Sequence, residues 1–298
     1  MPIKLNKNED ENKLVVERIQ YARNYSLTLD RNRCVGCEIC KTVCPKEAIE
    51  IRPVAKSTGE KAKRPTLDIS EQKCHYCGIC EAICPYGAIS VLTNGEHLVP
   101  VVKTESFPQL IREIEVDTSK CDVDCVECEK VCPLNLIKVS VLNPEGKEDK
   151  PKVNVNIKKE FCPGCRLCEM KCPDGAISVV RTFYGTMKIN AEKCPEGCTD
   201  CLDVCPITGA LYLSEQDKKV HTNETFCVYC GTCRIVCPVK ESLELQRTSI
   251  RHTTVRSGAW NKALEKLAST KEMTKELRVK GLTRARKSVD KRLSWKSS

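Results

Sequence analysis

Apolar and polar residues alternate in short stretches that recur along the chain. "YSLTLD" (25–30), "PTLDIS" (65–70), "REIEVD" (112–117), "KVNVNI" (152–157) and "TMKIN" (186–190) each place an apolar residue at every second position. Such alternation puts one set of side chains on one face of an extended chain, so each stretch predicts a half-buried strand. A second kind of stretch is a turn followed by apolar residues: "KEAIEI" (46–51), "YGAISV" (86–91) and "DGAISVV" (174–180). Between the two kinds lies a run dense in cysteine that ends in Cys-Pro. Proline there suits the first position of a short helix, where a missing N–H costs nothing. The predicted unit is strand, cysteine loop, one helical turn, strand. From Ala259 the pattern turns helix-like, with Leu264, Leu267 and Leu277 among Lys, Glu and Arg and with Gly281 as a break.

The cysteine runs number six: "CVGCEICKTVCP", "CHYCGICEAICP", "CDVDCVECEKVCP", "CPGCRLCEMKCP", "CPEGCTDCLDVCP" and "CVYCGTCRIVCP". Their ligand candidates are Cys34, Cys37, Cys40 and Cys44; Cys74, Cys77, Cys80 and Cys84; Cys121, Cys125, Cys128 and Cys132; Cys162, Cys165, Cys168 and Cys172; Cys194, Cys198, Cys201 and Cys205; Cys227, Cys230, Cys233 and Cys237. These account for all 24 cysteines in the 298 residues. Three thiolates at spacings of two wrap a loop around one face of a compact inorganic core, and the fourth points away. Zinc would ask for two separated Cys-x-x-Cys knuckles, often with histidine. The four histidines occupy no repeated position. A disulfide framework would need an oxidising compartment. Four thiolates per set predict [4Fe-4S] clusters, six in all.

The runs resemble those of bacterial two-cluster ferredoxins, and the resemblance covers residues 28 to 245 with linkers between. In that family the fourth cysteine ligates the cluster of the partner unit. The resemblance therefore implies that Cys84 completes the set of Cys34, Cys37 and Cys40, and that Cys44 completes the set of Cys74, Cys77 and Cys80. The expected fold class is α+β. It comprises three two-cluster ferredoxin-like modules in tandem (28–100, 101–185 and 186–246), an N-terminal extension (1–27) and a basic helical tail (247–298). A nested order, with the fourth run paired to the fifth inside the third and sixth, is the alternative. Polyferredoxins of this build occur in methanogenic and related archaea. The Cys-x-x-x-Cys variants at Cys121 and Cys194, with the ending "RTSIRHTTVRSGAWNKALEKL", look most like the polyferredoxin component of formylmethanofuran dehydrogenase. Such components often carry eight clusters, so six ligand sets are a departure. The resemblance implies an electron wire serving a tungsten or molybdenum enzyme that interconverts carbon dioxide and formylmethanofuran. External ferredoxin or heterodisulfide reductase would be the other electron partner. A hydrogenase or heterodisulfide reductase polyferredoxin, or a free multi-cluster carrier, are the alternatives.

Charge adds one feature. The formal net charge is +9, but residues 247–298 hold 15 basic and 4 acidic side chains, a surplus of +11 that leaves −2 for the rest. Six four-thiolate sets with oxidised cores would add about −12, leaving an acidic body near −14 with a basic tail. The tail reads as a docking arm for a partner subunit, a solvated helix or a nucleic-acid contact; no recognised fold supports the last. No apolar run approaches the ~18 residues of a membrane span. The start, "MPIKLNKNEDENKLVV", is polar, so a cytoplasmic location is expected. Tyr76 and Tyr229 sit inside cysteine loops and are expected to shield clusters from water. His97 and His221 read as surface residues. Phosphate-loop motifs and a flavin or nucleotide site are absent from the sequence, so no catalytic residue and no substrate chemistry are expected of this chain alone.

Overall fold

The computed structural model describes residues 3–56, 59–142, 152–255, 257–268, 278, 281–282 and 285–289. Three lobes follow one another along the chain, each framed by two antiparallel strand pairs. In the first, β1 (Lys4–Glu9), β2 (Lys13–Ile19) and β3 (Asn24–Asp30) form a meander. After the first cysteine loop come α1 (Ile39–Val43) and the pair β4 (Ile49–Arg52) with β5 (Thr66–Ile69). The second loop leads through α2 (Ile79–Ala82) to β6 (Ile89–Thr93), which returns to lie beside β3. A short β7 (Glu96–His97) and α3 (Pro100–Lys103) lead out.

The second lobe repeats this plan. β8 (Ile114–Val116) pairs with β11 (Ile177–Val179), and β9 (Ile137–Leu142) pairs with β10 (Lys152–Ile157). α4 (Glu127–Val131) and α5 (Leu167–Met170) follow its two cysteine loops. In the third lobe β12 (Phe183–Ile189) pairs with β15 (Leu243–Ile250), and β13 (Leu211–Leu213) pairs with β14 (Val220–Thr222). Its helices are α6 (Asp200–Val204) and α7 (Thr232–Val236), and α8 (Gly258–Leu267) closes the described chain.

The alternation explains the strands. In β3, Leu27 and Leu29 are buried while the residues between them are not. The same pattern runs further back than the sequence reading placed it. Leu14 and Val16 on β2 are fully buried, so the described residues 3–27 pack as part of the first lobe. They widen the first sheet, and the expected boundary at residue 27 falls inside β3.

The other end also departs from expectation. The boundary at 246 falls inside β15, and the segment after it straps the lobes together. Arg251 pairs with Glu113 at 2.7 Å, and Thr253 N–H donates to the Gln109 carbonyl at 2.9 Å. α8 then lays Trp260, Ala263, Leu264 and Leu267 into the core, against α1 and Phe107. The described residues of 247–268 thus pack within the chain, where the apolar stripe of α8 finds its partner. Leu277 and most of the tail beyond Ala268 lie outside the described residues.

One apolar core runs through the first lobe, the third lobe and α8, while the second lobe has a smaller core of its own around Ile114, Ile137 and Ile177. The linker between β4 and β5 reaches the third lobe. Lys56 pairs with Asp200, Ala62 N–H donates to Asp203, and Arg64 donates to the Val204 carbonyl. On the other side, Gly87 lies against Phe161, and the Arg33 guanidinium sits 3.7 Å from the centre of the Phe161 ring. Among the described residues no helix is long and apolar enough to cross a membrane.

Candidate metal centres

Four of the six cysteine loops are shaped by pairs of left-handed residues. In the first, second, fourth and sixth runs, the residue before the second cysteine has positive φ: Gly36, Tyr76, Gly164 and Tyr229. So has the residue after it: Glu38, Gly78, Arg166 and Gly231. Alternating handedness turns successive N–H groups toward one concavity, the kind of nest that accepts anionic sulfur. Only some of these positions are glycine, so the sequence signal was partial. The left-handed tyrosines, Glu38 and Arg166 were missed.

The loops bring cysteines together across pairs of runs. One cavity is lined by Cys34, Cys37, Cys40 and Cys84. A second is lined by Cys162, Cys165, Cys168 and Cys132. A third is lined by Cys227, Cys230, Cys233 and Cys205. In each, three cysteines come from one run and the fourth from its neighbour. The other twelve follow the same rule by electrostatics. Beyond burial, Cys80 feels Cys77, Cys74 and Cys44; Cys121 feels Cys172 and Cys125; Cys201 feels Cys194, Cys198 and Cys237.

The fourth cysteine of a run is held by the turn that follows its proline. Cys44, Cys84, Cys132 and Cys172 accept the N–H of Ala48, Ala88, Leu136 and Ala176 at 3.2–3.4 Å. Cys237 instead has the Ser242 hydroxyl at 3.1 Å.

The donor set fits a cluster. Burial pushes the thiols of Cys34 and Cys74 up to about 11, and those of Cys165, Cys168, Cys201, Cys205 and Cys227 to about 12. Neighbouring thiolates add to the rise at Cys168 and Cys201. Four buried thiolates in one place call for a compensating cation, which an iron core supplies. All 24 cysteines are free of disulfides. Rings of four cysteines around a cavity suit a compact cluster core. Tyr86 lines the first cavity with its hydroxyl buried. Tyr76 and Tyr229 are buried. His97 and His221 are partly exposed and pair with Glu81 and Asp217.

Comparison with known proteins agrees with this chemistry. Models of the 4Fe-4S dicluster domain match residues 33–88 and 161–210, and a second such model matches residues 186–238. The match to 161–210 joins the fourth and fifth runs, and the match to 186–238 joins the fifth and sixth. The β12–β15 pairing and the cavity of Cys205, Cys227, Cys230 and Cys233 go with the latter.

The polyferredoxin-like subunit of the Pyrococcus furiosus aliphatic sulfonate oxidoreductase is 35% identical over 104 residues, 32% of this chain and 60% of that protein. The polyferredoxin protein MvhB of Methanothermus fervidus is 39% identical over 85 residues, 28% of this chain and 20% of that protein. The chain thus spans less than two thirds of these curated relatives. A chain from the formate dehydrogenase–heterodisulfide reductase–formylmethanofuran dehydrogenase complex of Methanospirillum hungatei superimposes with a TM-score of 0.77. It is 32% identical, and the match covers 89% of this chain and 92% of that one.

Proposed function

Because the chain belongs to the polyferredoxin-like proteins built of tandem 4Fe-4S dicluster domains, we propose that it holds six [4Fe-4S] clusters and serves as the electron-transfer subunit of a formylmethanofuran dehydrogenase. The observation that carries this reading is the likeness, over nearly its whole length, to one chain of a complex that contains that enzyme. The same complex contains heterodisulfide reductase, which favours that enzyme as the other end of the path. The 24 cysteines would be the ligands, in crossed sets within three modules: the first run with the second, the third with the fourth, the fifth with the sixth. The strand pairings β3–β6, β8–β11 and β12–β15 support this order over the nested one.

Clusters of this kind accept and release one electron at a time. The chain's own residues would hold them, keep water from them with walls such as Leu29, Val35 and Ile39, and set the distances between them. Neighbouring lobes contribute here. Arg112 donates to the Cys84 carbonyl at 2.7 Å and also feels the charge of Cys162 on the second lobe. The proposal includes no chemistry on carbon by this chain alone, and it places the protein in the cytoplasm.

Anaerobic iron analysis should find about 24 irons per chain, four per cluster. The crossed sets predict that Cys44→Ala and Cys74→Ala each remove one cluster and that the double variant also removes only one, leaving about 20 irons. If the double variant loses two, the pairing is wrong. The native complex, captured anaerobically, should oxidise formylmethanofuran with a viologen dye or ferredoxin as acceptor. Capture of a nickel hydrogenase with no pterin-containing enzyme would overturn the assignment.

A further inference from the structure

Arg247 is 8% exposed, a buried cation whose hydrogen bonds go to backbone carbonyls. Its Nε–H donates to the Tyr229 carbonyl at 2.9 Å and its Nη2 to the Cys230 carbonyl at 2.8 Å. Both acceptors lie in the sixth cysteine loop. A Cβ on Gly231 would stand 3.4 Å from Nη2, so the guanidinium is pressed against that loop. From the other side comes the first lobe. Glu38, between Cys37 and Cys40, pairs with Arg234 in the sixth loop. Tyr86, on the wall of the Cys34 cavity, is 2% exposed. The charged neighbours of Arg247 are thus Cys37, Cys230, Arg234 and Glu38.

We propose that the site of Cys34, Cys37, Cys40 and Cys84 and the site of Cys205, Cys227, Cys230 and Cys233 form a direct electron junction between the first and third lobes, with the buried Arg247 guanidinium as the positioning residue whose fixed charge sets the potential of both. The proposal rests on the cluster reading above. An electron crossing the junction oxidises one cluster by one electron and reduces the other by one; no bond forms or breaks and no proton moves. A full positive charge in a buried, weakly screened setting favours the more negative, reduced state on either side. The apolar surroundings keep it from being screened by salt. Cluster neighbours in space thereby differ from neighbours in sequence, since the first and sixth runs meet without the second lobe between them.

The test uses the full chain, reconstituted anaerobically, with an EPR-monitored redox titration. Arg247→Gln should move two of the six midpoint potentials to more negative values and leave four in place, and Arg247→Lys should restore the two. Glu38→Gln, which removes a negative charge at the partly exposed rim, should move the same two upward together. Iron content is read first. A parent chain short of about 24 irons defeats the cluster reading itself. With iron intact, unchanged potentials in Arg247→Gln, or a uniform shift of all six, overturn the role of Arg247. If Arg247→Gln loses iron, Glu38→Gln decides alone: a single potential moving would show that the two sites share no field and would sink the junction.

Discussion

At the scale of the residue, backbone handedness shapes the cysteine loops. Gly36 has φ +68°, and a Cβ there would fall 2.5 Å from the Pro65 carbonyl oxygen. Gly59 has φ +86° with nothing within 4 Å of a Cβ. Both substitutions carry the strain of a left-handed alanine, roughly 1–3 kcal/mol. Only Gly36→Ala adds a collision with backbone. Gly36→Ala is therefore expected to lose iron from the first site and lower the thermal midpoint, while Gly59→Ala keeps full iron content with a smaller drop. Equal behaviour of the two would show that loop shape, rather than packing on Pro65, is what matters. The proposed ligands were legible residue by residue, because cysteine spacing is a local property. The shaping residues were legible only where they are glycine. Tyr76, Glu38, Arg166 and Tyr229 hold the same conformation without a compositional sign of it.

Elements at the two ends of the chain show how far local patterns reach. Trp260 on α8 is fully buried, edge-on to Phe107 with ring centres 5.3 Å apart and 4.6 Å from the His252 ring. Trp260→Ala should cost about 3–5 kcal/mol, as deletion of a buried aromatic does, and appear as a lower thermal midpoint at fixed scan rate. A change near zero would return α8 to the role of a loosely held arm. At the other end, removing residues 1–23 strips β1 and β2 and with them Leu14 and Val16. Burying each such side chain contributes about 1.5–3 kcal/mol, and the loss would leave β3 as a bare edge. The truncated chain should self-associate on anaerobic gel filtration, whereas a well-behaved monomer would show the meander to be dispensable. The leucines of α8 are legible in the sequence as a stripe. What covers them is not, because a stripe defines a face and not its partner.

For the molecule as a whole, the balance between thiol and iron governs stability. Each lobe is small, and four cysteines at every proposed site point inward without a partner of opposite charge, so ligation is expected to supply a large share of the folding free energy. Chelation should therefore abolish the circular dichroism of the folded chain along with its visible absorbance. The pH dependence follows from the raised thiol values. Cys165, Cys168, Cys201, Cys205 and Cys227, at about 12, stay protonated throughout the neutral range unless iron displaces the proton. Each ligation releases a proton, so affinity rises with pH below those values. Iron should leave more slowly to a fixed concentration of chelator at pH 9 than at pH 7; the reverse order would mean that the thiols are not protonated when free.

The sequence by itself determined the chemistry and its local frame. Each cysteine run carries its ligand spacing, its proline and its flanking alternation within some twenty residues, and those are interactions between near neighbours along the chain. Tertiary structure alone decided which lobes meet. Arg247 reaches the sixth loop, Glu38 pairs with Arg234, and Trp260 settles on Phe107. Arg247 and Glu38 bring a buried charge and an ion pair to the meeting of the first and third lobes, though the sequence places the second lobe between them. Charge and burial depend on what surrounds a residue in space, and six similar repeats offer many equivalent ways to pack. The choice among them rests on contacts that no single repeat contains.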